Sequence, residues 1–280
     1  MFDPDLLADP RAVVIFTGAG MSAESGVPTF RDRMTGLWAH TDPMEIATPT
    51  AFRRQPQRVW DWHVHLAESI RAARPNAGHL AIADLERRGV KVTVITQNID
   101  SLHQRAGSQN VVELHGNLLR LKSFVDEDAA FAMKRAPVIC PVCGGYADPD
   151  ECDRYADRSD LAAIELRTGP VPHCPCCGAL LRPDIVWFGE MLDPEVIEAA
   201  WDAVEDCELL IAVGASLEVE PAASLPWRAL GRGAQVIEIN PTPTGLAEYC
   251  HASFAATAVD TLPGLLDLIA SGQTIRTPQA

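Results

Sequence analysis

Short, largely apolar and β-branched runs punctuate the chain at Ala12–Phe16, Lys91–Ile95, Ile185–Trp187, Leu209–Val213 and Gln235–Ile239. Runs in which neighbouring positions are both hydrophobic predict strands covered on both faces, the habit of a parallel sheet. Between them the pattern shifts to the 3.6-residue period of amphipathic helices. Asp193-Pro194 provides an N-cap followed by proline at the first helical position, and the stretch after it sets Val196, Ala199, Ala200, Ala203 and Val204 on one face. A second helix is predicted from Asn76 to Arg88, stopped by Gly89 just before the Lys91 run. Strand, turn and helix alternate in this way along most of the chain, so the expected fold is α/β, a Rossmann-like doubly wound parallel sheet. Two stretches break the rhythm: 33–75, rich in Trp and Pro, and 121–181, which holds six of the eight cysteines. They are expected to be a helical insertion and a zinc-ribbon insertion that together form a small domain. The main domain is then 1–32, 76–120 and 182–280.

Length agrees with that division, because 280 residues exceed a usual single domain without supplying two equal ones. A formal charge of −15 opposes direct nucleic-acid binding, which needs clustered basic surface. The acidic start Met1-Phe-Asp-Pro-Asp5 is unlike a signal peptide, and no uninterrupted apolar run reaches the roughly 18 to 20 residues of a membrane span. A cytoplasmic protein without membrane contact is expected. In a reducing compartment, eight cysteines point away from a disulfide framework.

The cysteine spacing suggests metal. Cys140-Pro-Val-Cys143 and Cys174-Pro-Cys-Cys177 are two CxxC pairs with glycine directly after each, the arrangement of two knuckles presenting four thiolates to tetrahedral zinc. With no histidine or carboxylate in place of a thiolate, the expected Zn2+ is structural. Cys176 is a spare thiol, and Cys152, Cys207 and Cys250 read as unligated.

Other chemistry clusters after the strand-like runs, where open α/β sheets bind ligands. Gly18, Gly20 and Ala23 follow the first run at G-x-G-x-x-A spacing, which allows backbone N–H groups to approach a pyrophosphate. The acidic residue that a dehydrogenase places on the next strand is missing, since Pro28 and Gly36 break the helix early. Thr96-Gln-Asn-Ile-Asp-Ser-Leu-His103 offers amides and a carboxylate after the Lys91 run, although Asp100 or Ser101 equally suits a helix cap. His115 ends a further extended run beside Gly116, a natural place for a general base. His79 and His103 fall inside helical patterns and read as packing or capping residues. Gly214-Ala-Ser216 and Asn240-Pro-Thr242 repeat the small and polar chemistry after the last two runs, and together the four segments describe an extended cleft for a dinucleotide.

Taken in order, GAGMSAESGVPTFRD, TQNIDSLHQRAG, ELHG, the two CxxC pairs, LRPDIVWFGE, VGASLEVEP and INPT resemble the sirtuins, the NAD-dependent protein-lysine deacylases, from about residue 11 to 265. The resemblance implies NAD held by Gly18, Ala19, Gly20, Ala23, Thr29, Phe30, Arg31 and Trp38, with the PTFRD loop covering the nicotinamide ribose. It implies that Gln97, Asn98, Ile99 and Asp100 contact the ribose and nicotinamide, and that Gly214, Ala215, Ser216, Asn240, Pro241, Thr242 and Ala258 hold the adenosine half. His115 matches the general base, with Asn98 beside it. The implied reaction removes an acyl group from a lysine side chain and releases nicotinamide and O-acyl-ADP-ribose. Acyl-lysine protein or peptide should lie as a strand along Val186, Trp187, Phe188 and Gly189 on one side and Glu218 and Val219 on the other.

Within the family the chain is similar to the desuccinylase-like branch, as in Ala47-Thr-Pro, Arg58-Val-Trp and Pro75-Asn-Ala-Gly-His79. That branch reads an acyl carboxylate with a Tyr and an Arg three residues apart. Aligned on Trp60, those positions hold His63 and Leu66, and leucine cannot pair with a charge that is costly to bury alone. Neutral acyl groups are therefore expected to be favoured over succinyl and malonyl, unless a shifted register brings His65 into play. Ala215 also departs from the threonine usual in the family. A mono-ADP-ribosyltransferase using the same cleft is the enzymatic alternative, and a zinc-ribbon binding module the non-enzymatic one.

Overall fold

The computed structural model describes residues 10–28, 42–124, 138–139, 146–147, 164–175 and 178–272. The chain divides into two compact units, one of residues 1–39, 71–115 and 191–280, the other of 40–70 and 116–190.

The first unit is built on a six-stranded sheet, β1 (Ala12–Thr17), β2 (Lys91–Thr96), β3 (Val111–Glu113), β8 (Leu209–Val213), β9 (Gln235–Ile239) and β10 (Ala252–Phe254), in the order β10-β9-β8-β1-β2-β3. Every pairing is parallel. The strands are buried on both faces because alternate residues feed two cores. Val13, Ile15, Val94, Ile211 and Ile237 pack on one side with Ile82, Leu85, Leu262 and Leu266 of helices α4 (Ala77–Arg87) and α8 (Ala258–Ala270). Val14, Phe16, Ile95, Leu210 and Val236 pack on the other with Ile197, Ala200, Val204, Leu225 and Ala229 of α6 (Pro194–Asp206) and α7 (Ser224–Arg232). Each of the Val, Leu, Ile and Phe side chains among them, fully buried, contributes about 1.5 to 3 kcal/mol.

The predicted caps form. The Asp193 side chain accepts from Glu195 N ahead of Pro194, and Asn76 and His79 make a reciprocal capping box at the start of α4. The buried face of α6 is centred on Ile197, Ala200 and Val204, while Ala199 is exposed, so the stripe lies about one residue away from the predicted one. β10 is short and carries the polar Ser253, which is why the hydrophobic pattern does not reveal it.

The second unit contains α2 (Pro49–Arg54), most of α3 (Pro56–Ala72), and an antiparallel pair of β4 (Gly116–Ser123) with β7 (Leu181–Ile185). The expected strand at Ile185–Trp187 is corrected: β7 ends at Ile185 and belongs to this pair, not to the parallel sheet. Beyond it the chain turns, with Glu190 N donating to Trp187 O and Gly189 at φ +88. Phe52 packs at a tilt against Phe124 and Trp187, with ring centroids 4.9 and 5.4 Å away, and Trp60 Nε1 donates to Arg167 O. Two short segments, β5 (Val138–Ile139) and β6 (Tyr146–Ala147), pair antiparallel.

Candidate functional site

In the first unit the chain runs outward from β1 through β2 to β3, then restarts beside β1 at β8 and runs the other way. The reversal makes a topological switch point between β1 and β8, where such sheets open a crevice at their carboxyl edge. Two glycine turns are pressed together there, the first leading into the short helix α1 (Gly20–Ala23). Gly18 N donates to Val213 O, Gly20 N to Gly214 O, and Gly214 N to Ile239 O. An added Cβ on Gly214 (φ +59) would lie 2.4 Å from Met21 N, and one on Gly20 would lie 2.7 Å from Gly214 Cα. The turn after β1 does not present a row of free N–H groups, as the spacing suggests: Gly18, Gly20, Met21 and Ser22 all donate to main-chain carbonyls. Among the described residues, the N–H of this turn without a main-chain partner is that of Ala19.

After β2 a buried polar network takes over. Asn98 Nδ2 donates to Gly18 O at 3.0 Å and to Ser22 Oγ at 3.2 Å, and Ser22 Oγ donates to Asp100 Oδ2 at 2.6 Å. Asp100 Oδ1 accepts from Leu102 N at 2.8 Å, so this carboxylate caps helix α5 (Leu102–Ala106) as well as binding Ser22. Ser101, at the N-cap position, makes no side-chain cap and sits at φ 60. Burial raises the Asp100 carboxyl above its ordinary range, against the opposing hydrogen bonds from Ser22 and Leu102. Below the network Thr17 Oγ1 donates to Thr96 Oγ1 at 2.8 Å and lies 3.1 Å from His103 Nε2. Ser22 and Thr17 carry much of this geometry and were not singled out by the sequence pattern. A hydroxyl four residues after Gly18, facing the β2 amides, is the feature that would have found Ser22.

His115 follows β3, half-buried, with Nδ1 3.1 Å from Gln97 O. A carbonyl only accepts, so Nδ1 carries the proton and Nε2 keeps its lone pair. Burial lowers the imidazole pKa below 6.5, partly offset by the Gln97 bond, which leaves a neutral ring suited to accept a proton. Toward the other edge Asn240 Nδ2 donates to Ala215 O at 2.9 Å, tying the ends of β8 and β9. Ser216 is half-buried, Pro241 and Thr242 are exposed, and Ala258 is buried at the first turn of α8. Gln97, Ile99 and Ala19 are half-buried, and Ala23 is exposed. Thr29, Phe30, Arg31 and Trp38 lie outside the described residues. Glu218 and Val219 are exposed in this unit.

In the second unit His63 and Leu66 are both buried on α3. His63 Nδ1 is 2.8 Å from Val59 O, and its ring stands 5.9 Å from Trp187 and edge-on to Trp62 at 5.0 Å. Burial above all, with the Arg182 charge adding, pushes its pKa down to about 4 despite the Val59 bond. Arg182 is itself buried, ion-paired with Glu190, and its guanidinium lies 3.3 Å from the Trp187 ring centroid. Val186 is half-buried, Phe188 and Gly189 are exposed, and His65 is exposed beside Glu68, so it does not join His63 and Leu66.

Cys174 is buried, its N–H donating to Ala179 O at 2.7 Å and its carbonyl accepting from Gly178 N at 2.9 Å, with Gly178 at φ +72. That is the turn a metal knuckle needs. Cys140, Cys143 and Cys177 lie outside the described residues. Cys207 is buried, and its thiol is pushed up to about 11, which removes it as a nucleophile.

Comparison with known proteins adds to this geometry. The Sir2 family profile matches residues 18–221. An NAD-dependent protein deacylase of Thermus thermophilus is 41% identical over 264 residues, covering 93% of this chain and 91% of that protein. NAD-dependent protein deacylase 1 of Pseudomonas aeruginosa is 40% identical over 264 residues, covering 94% and 96%. Among solved structures, a Sir2 homolog–NAD complex superposes with a TM-score of 0.77 at 38% identity, covering 96% of this chain and 93% of that one. No helix among the described residues is long and apolar enough to cross a membrane.

Proposed function

The chain belongs to the Sir2 family, and from that premise we propose that it is an NAD-dependent protein-lysine deacylase. NAD, when bound, supplies an electrophilic anomeric carbon with nicotinamide as leaving group, and its ADP-ribose portion carries the acyl group away. The observation that carries the reading is His115: its Nδ1–H is fixed by Gln97 O, and Nε2 is left to take a proton from a ribose hydroxyl. Asn98, whose amide nitrogen is already engaged by Gly18 and Ser22, keeps Oδ1 for a polar ligand in a fixed orientation. The crevice at the β1/β8 switch point fits a dinucleotide: Gly18 to Ala23 beside the pyrophosphate, Gln97 to Asp100 at the nicotinamide ribose, and Gly214 to Ser216, Asn240 to Thr242 and Ala258 at the adenosine half. Thr29, Phe30, Arg31 and Trp38 complete it in this reading.

We infer further that Cys140, Cys143, Cys174 and Cys177 hold one structural Zn2+. The turn geometry at Cys174 and Gly178 supports this. Thiols that bind zinc or stay reduced fit a cytoplasmic protein. The acyl group is taken to lie against His63 and Leu66, with Val186 to Gly189 and Glu218 to Val219 flanking the peptide. A neutral imidazole and a leucine offer no charge to a carboxylate, so acetyl and butyryl groups are favoured over succinyl and malonyl.

The test is incubation with NAD and matched acetyl-, butyryl- and succinyl-lysine peptides, with products followed by mass spectrometry and His115→Ala as control. Deacylated peptide and acyl-ADP-ribose from the neutral substrates, absent in the variant, are expected. ADP-ribose attached to protein without deacylation would move the assignment to a mono-ADP-ribosyltransferase.

A further inference from the structure

Two imidazoles that the helical pattern reads as packing or capping residues stand ring to ring inside the first unit. His79 of α4 and His103 of α5 are 0% and 1% exposed, with ring centroids 4.8 Å apart. Each has one nitrogen engaged. His79 Nδ1 accepts from Asn76 N at 3.3 Å, so in the neutral ring the proton sits on Nε2. Thr17 Oγ1 gives its own proton to Thr96 Oγ1, so toward His103 Nε2, 3.1 Å away, it can only accept. His103 Nε2 therefore carries the proton and Nδ1 the lone pair. Burial holds both rings uncharged, with His79 adding to the effect on His103. What is left over is a donor, His79 Nε2–H, and an acceptor, His103 Nδ1, both buried and neither with a hydrogen-bond partner among the described residues. On neighbouring rings these two are complementary, and a direct bond or one bridging water satisfies both.

That junction completes a belt of polar contacts around the turn after β1. It starts at Met21, whose carbonyl accepts from Asn76 Nδ2 at 2.9 Å, and passes through Asn76 N to His79. From His103 it continues through Thr17 to Thr96, the last residues of β1 and β2, and Thr96 Oγ1 accepts from Asn98 N at 3.0 Å. Asn98 Nδ2 then returns to Gly18 O and Ser22 Oγ, inside the stretch where the belt began. We propose that His79 and His103 are positioning residues for NAD: as an uncharged, hydrogen-bonded pair they close this belt and fix the glycine turn and the Asn98 side chain against each other. The inference rests on the cofactor reading above. Packing alone would be better met by two apolar rings, because each imidazole brings a polar nitrogen that is costly to bury unpaired. What the imidazole of His103 adds is the Nε2–H that orients Thr17.

The test measures the NAD affinity of the full-length protein by calorimetry. His103→Phe keeps an aromatic ring and removes the donor to Thr17, and should weaken NAD binding about threefold to tenfold, the worth of one neutral hydrogen bond. His103→Gln, whose side-chain amide N–H reaches the place of Nε2, should recover most of that loss. A packing role alone would give the reverse order, with the apolar ring better than the amide, and that result would overturn the proposal. Thr17→Val should weaken binding to a similar degree, and adding it to His103→Phe should bring little further loss, since both break one link; losses that simply add would also overturn it. In the unmodified protein the imidazole nitrogen NMR shifts provide a check that needs no variant to fold. Both His79 and His103 should carry the proton on Nε2, and a proton on His103 Nδ1 would overturn the belt. An unmodified protein that fails to bind NAD would instead remove the cofactor reading, and this inference with it.

Discussion

At the scale of single residues, His115 and His63 show how one hydrogen bond to a carbonyl decides what an imidazole can do. In both, Nδ1 is committed to main chain and burial keeps the ring neutral. In the deacylase reading His115 acts as the general base, so replacing it with alanine should lower turnover about 10²- to 10⁴-fold, read as deacylated peptide formed at saturating NAD. Its pKa lies below 6.5, so the acid limb of kcat/KM should fall with a midpoint below that value; a midpoint at 7 or higher would show that a different group is titrating. For the acyl wall, His63→Tyr combined with Leu66→Arg should raise succinyl-lysine kcat/KM about tenfold or more, since a buried carboxylate gains a charged partner. If that double variant gained nothing on succinyl peptide, these two residues would not face the acyl group. His115 stands out in the sequence because a strand-like run and a glycine bracket it. Ser22 does not, because a serine in a short helical turn looks like any other until Asp100 and Asn98 are brought to it by the fold.

At the scale of elements, the two glycine turns behave as one part. The Cβ clashes at Gly20 and Gly214 are with backbone, which has no rotamer to escape into. Gly214→Ala adds strain at φ +59 to that clash and is expected to cost about 3 kcal/mol or more, measurable as a drop in thermal midpoint together with lost NAD affinity. Glu238 does similar service further along the edge. It is buried at the end of β9, accepts from Ser253 Oγ at 3.1 Å and from Thr244 N, and pairs with Thr244 Oγ1, holding the loop that follows Asn240. Removing it in Glu238→Ala should raise KM for NAD more than it lowers kcat, with Glu238→Gln recovering part of the loss; an unchanged KM would count against that role. Periodicity located β1, β2, β8 and β9 because each is apolar at neighbouring positions. It missed β10, whose Ser253 is polar, and misassigned Ile185–Trp187 because an apolar run does not say which sheet it joins. It also could not see that the β1 glycines are required by the β8 turn as much as by a ligand.

At the scale of the whole molecule, three buried histidines and the half-buried His115 set the response to acid. The pKa values of His63 and His79 are pushed down to about 4, that of His103 well below 6.5, and that of His115 also down, burial being the main cause in each. The unfolded chain takes up protons near pH 6.5 that the folded chain refuses. Stability is therefore full above that pH and drains as pH falls toward 4, by up to about 1.4 kcal/mol per pH unit for each ring. Asp100, raised above 3.8, acts in the opposite sense. Denaturant midpoints at pH 7.5, 6 and 5 should fall in that order, and a flat series would refute the assignment of neutral buried rings. The order of the sheet has a consequence for how this chain comes into being. Val13 of β1 pairs with Leu209 of β8, positions separated by 209 − 13 = 196 residues. While the chain is being synthesised, β1 can find β2 early, but its other edge stays open until the last third has left the ribosome. Long-range parallel pairing is slow and leaves apolar edges exposed in the meantime. The candidate cofactor crevice, built on that final pairing, is among the last features to exist.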